Sequence, residues 1–562
     1  MDAPAPTAMA SGERGLGAAR YCLLVLLCLF AFLPGISTLP PTDRDESRFV
    51  QSTKQMVETG NYIDIRLQDE NRYKKPIGIY WLQSAAVLLS GDGAAAPIWV
   101  YRLVSVLGAT LAVLAAGWLG ARMFGATAGM IAGAVMAGIL MLAFEARIAK
   151  TDATLLATAV FAQAALARLY LGDREGAPPA RAAPWVFWAA QGAAILIKGP
   201  VVPLLSALTV AAVAFFDKDR AWLKKLKPLR GILLAVLICV PWLALITWKS
   251  GAAFWQESVG KDLLGKVGGA QESHGAPPGY YALIFMLFFW PFAVAGIEAG
   301  LKALNRFRTD PRLLFCLAWY IPYWIVVEAI PTKLPHYMLP AYPALALLIA
   351  WAATDAGAAG IPFRRWQVWL RRLAVAGFVV VTVLLAAASL GATPYLMKTF
   401  SWWGLLAAVL ALLAGWLGSG IRPIAEPLPR IASAAIASAA LFAVLTVFVL
   451  PGLKPVWLSP QIAEQFRKMK PCPDSRLIAT GYAEPSLVFL AGTDTLLAGP
   501  EDAAKALAAD RCAVAVVDGR DVGKFMSALP GGQASVDEVS TIRGVNYSKG
   551  TERLLILFRD KR

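Results

Sequence analysis

Charged side chains are scarce in this chain. They make up 16% of its 562 residues, whereas 58% are hydrophobic and the mean hydropathy is +0.57; in typical soluble domains about a quarter of the residues are charged. A soluble protein of this composition has no interior large enough for its apolar surface, which excludes a soluble enzyme, a disordered chain and a fibrous protein. The composition therefore predicts a polytopic α-helical membrane protein.

Histidine and cysteine are also rare, with two and six residues. No CxxC or zinc-finger spacing is present, and the P-loop, GxSxG and HExxH motifs are missing, so no soluble-enzyme motif competes. Four of the cysteines lie in apolar runs and are interpreted as core thiols: Cys22, Cys28, Cys239 and Cys316.

Acidic residues are outnumbered by basic ones, 37 against 53, for a net charge of +16. In a soluble protein this excess points to nucleic acid. In a membrane protein, Lys and Arg collect in cytoplasmic loops, which accounts for most of it without a nucleic-acid partner. The rest of the excess positive charge is compatible with binding to anionic lipids or phosphorylated substrates.

Apolar runs predict thirteen membrane spans. No small-residue cleavage site follows the first run, so it is interpreted as an uncleaved span rather than a signal peptide. Two runs are short for a bilayer, but Lys198-Gly199-Pro200 separates them and both are retained. The runs are 21–38, 97–120, 126–143, 153–171, 185–197, 201–216, 231–248, 280–300, 313–330, 337–354, 373–390, 402–418 and 431–450.

Charge asymmetry orients these spans. Residues 76–90 form a fourteenth apolar run, which is short and abuts Lys74-Lys75. If this run lies at the membrane interface and the N-terminus is cytoplasmic, the inside loops include four net basic segments: 217–230, 301–312, 363–372 and 421–430. Counting 76–90 as a span inverts every one of them. We therefore expect the polar C-terminal part to lie outside the cytoplasm.

The sequence divides into two domains. Residues 1–455 form the transmembrane domain, in which 39–96 is an outside loop with interfacial helices. Within it, 47–59 has the pattern of a short amphipathic helix lying on the membrane. Residues 456–562 form a small α/β domain.

Strands and helices alternate in the C-terminal domain. Residues 476–481, 511–518 and 553–559 are predicted strands, and 501–510 and 521–529 are predicted helices. Cys472 and Cys512 each precede a predicted strand. If those strands are parallel neighbours, a disulfide forms in an oxidising compartment; two free thiols are the alternative.

The predicted topology gathers polar residues on the outer side. They are Asp43, Asp45, Glu46, Lys74, Lys75, Asp152, His274, Lys333, His336 and Tyr337. A solvated surface explains most charges of this kind, including Asp43, Arg44, Lys54 and Glu58. Asp45 and Asp152 differ because they lie at membrane ends, where carboxylates are costly and often functional. Pairing of Asp152 with Glu145, Arg147 or Lys150 is the structural alternative.

Lysines and carboxylates on one outer face suit a phosphorylated amphiphile. Lys75 and Lys333 would neutralise phosphate oxygens, and a carboxylate would orient or deprotonate an acceptor. No nucleotide site is evident, so the energy must arrive in the substrate. A sugar linked to a lipid phosphate supplies it.

Five sequence blocks, in order along residues 33–342, resemble one family. They are Arg44-Asp45-Glu46-Ser47-Arg48-Phe49, Lys75-Pro76-Ile77 with Tyr80-Trp81, Lys198-Gly199, His274-Gly275-Ala276-Pro277 with Tyr280-Tyr281, and Lys333-Leu334-Pro335 with Tyr337. The family is the 4-amino-4-deoxy-L-arabinose lipid A transferases (ArnT-like), integral-membrane glycosyltransferases of the GT-C fold.

The resemblance implies an inverting pentosyltransferase of the bacterial inner membrane, with its active site and C-terminal domain in the periplasm. The donor would be undecaprenyl phosphate carrying aminoarabinose, and the acceptor a lipid A phosphate. The product confers resistance to polymyxin and other cationic peptides, and the enzyme would act as a monomer among inner-membrane lipids. By analogy, the catalytic residues are Asp45, Asp152 and Glu46, and the phosphate-binding residues are Lys75, Arg48, Lys333 and Tyr337.

One position departs from the family pattern. The family commonly has Glu immediately before the Lys-Pro pair, where this chain has Lys74. That Glu, with the His of the His-x-Ala-Pro block, resembles a divalent-metal site. Zinc at His274, with Glu70 or Glu46 replacing the missing ligand, is one hypothesis; no cofactor is the other.

Two alternatives to this function stay open. A related GT-C enzyme could transfer another polyprenyl-phosphate sugar, such as mannose, to protein or glycan, because protein mannosyltransferases also place an acidic pair after the first span. A flippase for the lipid-linked sugar is less favoured, because no internal repeat is evident and the acidic residues cluster outside.

Overall fold

The structure is a computed structural model that describes residues 15–172, 174, 180–265, 275–420 and 426–561. Each of the thirteen predicted apolar runs contains helix, although the first, 21–38, is helical only as far as Phe32. Seven helical stretches are long and apolar enough to cross a membrane: Ile98–Phe124, Asp152–Leu171, Ala221–Ser250, Pro311–Ala329, Pro335–Thr354, Arg365–Met397 and Pro427–Val449. Shorter apolar helices are Ala18–Phe32, Gly78–Ser90, Ala126–Gly138, Val201–Phe216 and Trp402–Gly418. The polytopic helical fold is confirmed; the exact number of spans stays a prediction.

Further helices coincide with the predicted runs 185–197 and 280–300, lie in connecting segments or belong to the C-terminal domain. They are Asp45–Thr59, Leu140–Glu145, Ala183–Lys198, Gln256–Leu264, Tyr280–Phe288, Ala293–Arg306, Leu458–Met469, Pro485–Ala491, Pro500–Ala509 and Val522–Ala528.

Two predicted spans are interrupted rather than continuous. The run 280–300 forms two helices separated at Trp290-Pro291, because Pro291 has no N–H to continue the helical hydrogen bonds. The run 126–143 breaks after Gly138, where Ile139 turns to an extended conformation. The two breaks meet, since the Leu140 N–H donates to the carbonyl of Trp290 at 2.9 Å. Each break thus satisfies a backbone group of the other.

Small residues bring the bundle helices close together. Helices Ile98–Phe124 and Ala126–Gly138 approach at Gly129, where an added Cβ would lie 2.5 Å from the carbonyl oxygen of Gly117. Such close contact is typical of membrane helices, whose association depends on van der Waals packing rather than on the hydrophobic effect.

The amphipathic helix predicted at 47–59 is present as Asp45–Thr59, but protein covers it on two sides. Its Thr53 hydroxyl donates to Gln83 of helix Gly78–Ser90 at 2.8 Å. On the other side, the Gln51 amide donates to the Thr493 hydroxyl of the C-terminal domain at 2.7 Å. The pattern predicted the helix correctly. It did not reveal that the C-terminal domain covers much of the polar face.

Short strands complete the fold. Before the bundle, β1 (Arg66–Leu67) and β2 (Glu70–Asn71) form a small hairpin. The C-terminal domain contains β3 (Leu477–Thr480), β4 (Leu496–Leu497), β5 (Val514–Asp518), β6 (Val536–Asn546) and β7 (Thr551–Asp560). Their order in the sheet is β4-β3-β5-β7-β6. Strands β4, β3 and β5 are parallel, and β7 runs antiparallel to both β5 and β6.

A disulfide joins Cys472 to Cys512, with 5.3 Å between their Cα atoms. It forms because β3 and β5 are parallel neighbours, with Leu477 opposite Val514, so the segments before both strands lie side by side. Of the two alternatives left by the sequence, the structure contains the disulfide.

Removing this disulfide is expected to destabilise the C-terminal domain. The bond closes a loop with a sequence separation of 40; chain-entropy arguments assign such a loop about 3–4 kcal/mol. We therefore expect the Cys472→Ser/Cys512→Ser variant to unfold at lower urea concentration than the oxidised protein. Cys22→Ser, at a free thiol, is the control. Equal unfolding midpoints for all three proteins would contradict the prediction.

Candidate active site

A buried cluster of opposite charges surrounds Asp152. One Asp152 carboxylate oxygen forms an ion pair with the Lys198 ammonium, and the other lies 3.7 Å from Lys150 Nζ. Lys150 Nζ is 2.9 Å from a Glu145 carboxylate oxygen. His336 lies between the two acids, with Nε2 3.7 Å from Asp152 and Nδ1 4.0 Å from Glu145. Two carboxylates thus balance two ammonium groups around one imidazole.

Four separate segments position this cluster. Glu145 ends the short helix Leu140–Glu145, and Lys150 precedes helix Asp152–Leu171. Asp152 begins that helix and Lys198 ends helix Ala183–Lys198, so the helix dipoles favour the charge of each. His336 lies in the helical turn Pro335–Ala341. Pairing of Asp152 with Lys150, the structural alternative from the sequence, is present.

The electrostatics of the cluster favour charged lysine. Burial lowers the pKa of Lys150, but the carboxylates of Glu145 and Asp152 outweigh this effect and raise it above its ordinary value. Asp45 contributes in the same direction, so its carboxylate is close enough to act on Lys150.

Asp45 is the first residue of helix Asp45–Thr59 and is exposed. Within the described residues, no hydrogen bond or ion pair engages its carboxylate. Its charge acts on Lys150 and Tyr80. An available carboxylate therefore lies within electrostatic range of Lys150 in the buried cluster, at the positive end of a helix dipole.

Glu46, the neighbouring predicted acid, is buried and fully engaged. Its oxygens lie 2.8 Å and 2.9 Å from the Arg102 guanidinium and accept the N–H groups of Thr42 and Ala149 at 2.8 Å. Burial opposes the charge of Glu46, yet Arg102 lowers its pKa below the ordinary value. This carboxylate fixes the start of the helix.

The predicted phosphate-binding residues lie in different surroundings. Lys75 Nζ is 2.5 Å from an Asp262 carboxylate oxygen, and its charge acts on His336. Lys333 is buried and donates to the carbonyls of Glu328 and Ile330, both at 2.7 Å. The charge of Lys75 therefore acts on the cluster, whereas Lys333 is hydrogen-bonded within its own loop.

Tyr337 and Arg48 lie in different surroundings. The Tyr337 ring is 5.8 Å from Lys198 Nζ and thus borders the Asp152 cluster. Arg48 instead lines a cavity of about 700 Å³ between hairpin β1–β2 and the C-terminal domain, together with Arg44, Glu70 and Glu484.

The described residues do not bring together the ligands that the zinc hypothesis names. His274 lies outside them. Glu70 is exposed at the cavity, and Glu46, the other substitute, is committed to Arg102. Glu145, Asp152 and His336 are close enough for one ion, but Lys150 and Lys198 already neutralise the carboxylates. Zinc stays an untested expectation from the resemblance.

Sequence analysis named Lys198, Lys150, Glu145 and His336, in a family block, as partners of Asp152 or among the outer polar residues, but assigned none of them a role in the site. Two signals were available: Lys198 interrupts two short apolar runs, and His336 precedes Tyr337 in a matched block. Charged or polar residues at breaks in apolar runs are often functional.

Known proteins resemble this chain along most of its length. A family profile described as dolichyl-phosphate-mannose-protein mannosyltransferase matches residues 74–245. The crystal structure of ArnT from Cupriavidus metallidurans bound to undecaprenyl phosphate superposes with a TM-score of 0.72, covering 96% of this chain and 98% of that one at 19% identity. The apo structure of that protein gives a TM-score of 0.71, covering 95% and 97% at 20% identity.

The fold defines the class: the chain is a polytopic membrane protein with the GT-C fold of that structure, and its residues 74–245 match a glycosyltransferase family profile. Its sequence resembles the undecaprenyl phosphate-α-4-amino-4-deoxy-L-arabinose arabinosyl transferase of Aeromonas salmonicida, 24% identical over 71% of both chains. The transferase of the same name, numbered 1, from Pseudomonas fluorescens is 26% identical over 60% of both. The resemblance to ArnT-like transferases expected from the five blocks is confirmed.

Proposed function

We propose that the chain transfers 4-amino-4-deoxy-L-arabinose from undecaprenyl phosphate to a lipid A phosphate, acting as a monomer at the periplasmic face of a bacterial inner membrane. One observation carries the proposal. An available carboxylate, Asp45, lies beside the buried cluster of Asp152, Lys150, Lys198 and His336, with Lys75 close by. The names of the sequence relatives supply the sugar and its carrier.

The transfer is a substitution at the anomeric carbon of the sugar. An oxygen of the acceptor phosphate attacks C1, and the bond from C1 to the undecaprenyl phosphate oxygen breaks with its electron pair staying on the leaving group. The configuration at C1 inverts. Asp45 takes the remaining proton of the acceptor phosphate or holds the amine of the donor sugar. Lys75 neutralises the charge that develops on the leaving phosphate, exchanging Asp262 for it.

Asp152 and Glu46 act as positioning residues in this scheme. Both are buried, and their oxygens are engaged with Lys198 and Arg102 respectively. Asp152 holds Lys198, Lys150 and His336 in place, and Glu46 fixes the helix that carries Asp45. Lys333 would have to leave two backbone carbonyls before it could bind phosphate. Lys75 is therefore the preferred phosphate ligand.

The disulfide supports the periplasmic orientation. A stable disulfide belongs in an oxidising compartment. The domain that carries it contacts the segment beside Asp45, because the Asp43 N–H donates to the Tyr547 hydroxyl at 2.6 Å. Asp45 and the disulfide therefore share one side of the membrane. The positive-inside pattern of the loops supports the same side.

The added sugar explains the resistance that the resemblance implies. Each transferred aminoarabinose places an amine next to a lipid A phosphate and offsets its negative charge. Cationic peptides such as polymyxin depend on that charge for attraction to the surface. Modified cells should therefore bind less polymyxin.

Mass spectrometry of lipid A tests the proposal. The chain is expressed in a host that makes the donor but lacks its own transferase, beside an empty vector. We expect one aminoarabinose adduct per modified phosphate with the chain and none with the vector. Well-inserted protein that yields no adduct would contradict the proposed sugar or acceptor.

The mannosyl alternative rests on the family profile, which covers residues 74–245. A polyprenyl-phosphate mannose donor offered with an acceptor peptide to the purified protein distinguishes the two functions. Transfer to the peptide, without transfer to lipid A, would favour that alternative. No contact in the described residues favours a flippase.

A further inference from the structure

We propose that the C-terminal domain positions Asp45 through a docking contact in which Asp43 and Arg44 bind Ser486, Tyr547 and Ser548. This inference rests on the proposed function, because it assigns a task to the C-terminal domain in the same reaction. Asp45 follows the docking contact directly in the chain.

Three hydrogen bonds hold the docking contact. The Asp43 N–H donates to the Tyr547 hydroxyl oxygen at 2.6 Å. The Ser486 hydroxyl donates to the Asp43 carboxylate, and the Arg44 guanidinium donates to the carbonyl of Ser548. Backbone and side chains of two adjacent residues are thus fixed by one domain.

The partners of Asp43 belong to the interior of the C-terminal domain. The Ser486 hydroxyl is hydrogen-bonded to the Ser459 hydroxyl at 2.6 Å, and Ser459 is hydrogen-bonded to the Tyr482 hydroxyl at 2.8 Å. Ser459, Tyr482 and Ser486 are all buried. Asp43 is therefore held by the rigid core of the C-terminal domain rather than by a surface loop.

The partner of Arg44 is also anchored. The Ser548 hydroxyl donates to a Glu484 carboxylate oxygen at 3.0 Å, and the Asn546 amide donates to the same oxygen at 2.7 Å. Glu484 is buried immediately before helix Pro485–Ala491. The turn that receives Arg44 is thus fixed to the start of that helix.

The backbone of Arg44 requires such support. Its φ is 66° and its ψ is −106°, a conformation that non-glycine residues rarely adopt. Unusual backbone conformations persist only where the surroundings over-determine them, and they cluster at functional sites. Here the strained residue sets the direction in which Asp45 leaves the turn. The turn therefore holds Asp45 from the residue before it, while the ion pair of Glu46 with Arg102 holds the residue after it.

Burial of Asp43 makes the docking contact sensitive to pH. Burial raises the pKa of Asp43 to about 6, the nearby Glu484 carboxylate adds to this shift, and the Ser486 hydrogen bond reduces it. The titratable groups facing Asp43 are Glu484, Tyr482 and Tyr547 from the C-terminal domain. A carboxyl whose pKa is higher when docked favours docking in its protonated form. Docking is therefore strongest below the ordinary pKa of Asp and weakens as the pH rises through about 6.

Two hydroxyl deletions in the C-terminal domain test the proposal. For Ser486→Ala and Tyr547→Phe we expect at least a tenfold fall in kcat with little change in the KM for the donor. We also expect faster amide hydrogen exchange across residues 42–50. Thr541→Ala removes an exposed hydroxyl of the same domain, away from the contact, and should change neither quantity. Tyr547 is partly exposed, so its variant is expected to fold even if Ser486→Ala does not.

The pH dependence of Asp43→Asn activity distinguishes this positioning role from a purely structural one. Asparagine keeps the size of the neutral carboxyl and cannot ionise. The ratio of wild-type to Asp43→Asn activity is therefore expected to fall as the pH rises through about 6 and to be flat elsewhere. Unchanged kcat and unchanged exchange in both hydroxyl variants would overturn the proposal. If the wild-type chain transfers no sugar at all, the proposed function fails, while the exchange measurement still decides whether docking occurs.

Discussion

Replacing Asp45 by asparagine is expected to abolish measurable transfer of aminoarabinose while leaving the protein folded. The carboxylate is exposed and has no partner among the described residues, so its removal costs few contacts. Loss of one negative charge at a helix start costs about 0.3–1 kcal/mol of stability. Loss of a general base or a charge-positioning carboxylate lowers the rate by about 10²–10⁴-fold. Function and stability are therefore expected to separate at this position.

Lipid A mass spectrometry and single-turnover rates with purified protein measure the effect. Asp92→Asn is the matched control, because Asp92 is also exposed and lies in the same segment before helix Ile98–Phe124. It should transfer sugar at the wild-type rate. If Asp45→Asn still transfers at more than a tenth of that rate, Asp45 is not the reacting carboxylate.

Arg102→Met is expected to destabilise the whole protein. The guanidinium is fully buried, pairs with Glu46 and also donates to the carbonyls of Ile36, Leu39 and Pro40 at 2.6–3.0 Å. Removing it leaves Glu46 buried without its counter-charge and leaves those carbonyls without donors. Breaking a buried ion pair on one side costs about 3–5 kcal/mol. We therefore expect a fall in Tm and a loss of activity that follows folding.

Two further variants test whether the loss of stability comes from breaking the buried ion pair or from any arginine substitution on this helix. Arg122→Met lies on the same helix, but Arg122 is exposed, so its Tm should stay near that of the wild type. Arg102→Met combined with Glu46→Leu removes both charges and should recover part of the lost stability. A single Arg102→Met variant as stable as Arg122→Met would show that the ion pair contributes little.

The sequence predicted the helical bundle well because hydrophobic runs are local signals. Pro291 was a local signal for the break in the run 280–300, but the pairing of this break with the one at Ile139, far away in the chain, was not recognisable. In the C-terminal domain, the fully buried strands β3 and β5 were predicted within a few residues. Strand β6 was missed because most of its residues are polar and partly exposed, without clear alternation.

The candidate site was predictable in part. Asp45 and Asp152 were selected because each lies at the end of an apolar run, and the structure places them near Lys150 together. Sequence alone did not separate Asp45 from Glu46, because the difference lies in Arg102, 56 residues away from Glu46. Sequence alone also did not reveal that the Lys333 ammonium donates to backbone carbonyls, although Lys333 lies in a matched block.

The docking contact joins residues made at opposite ends of synthesis. Asp43 and Ser486 are separated by 443 positions, and Asp43 and Tyr547 by 504. A ribosome must therefore complete almost the entire polypeptide before the turn at Arg44 has a partner. Until the last domain has folded, an inserted bundle lacks the docking contact that holds the residues before Asp45. Truncated or stalled chains in the membrane are consequently expected to be inactive.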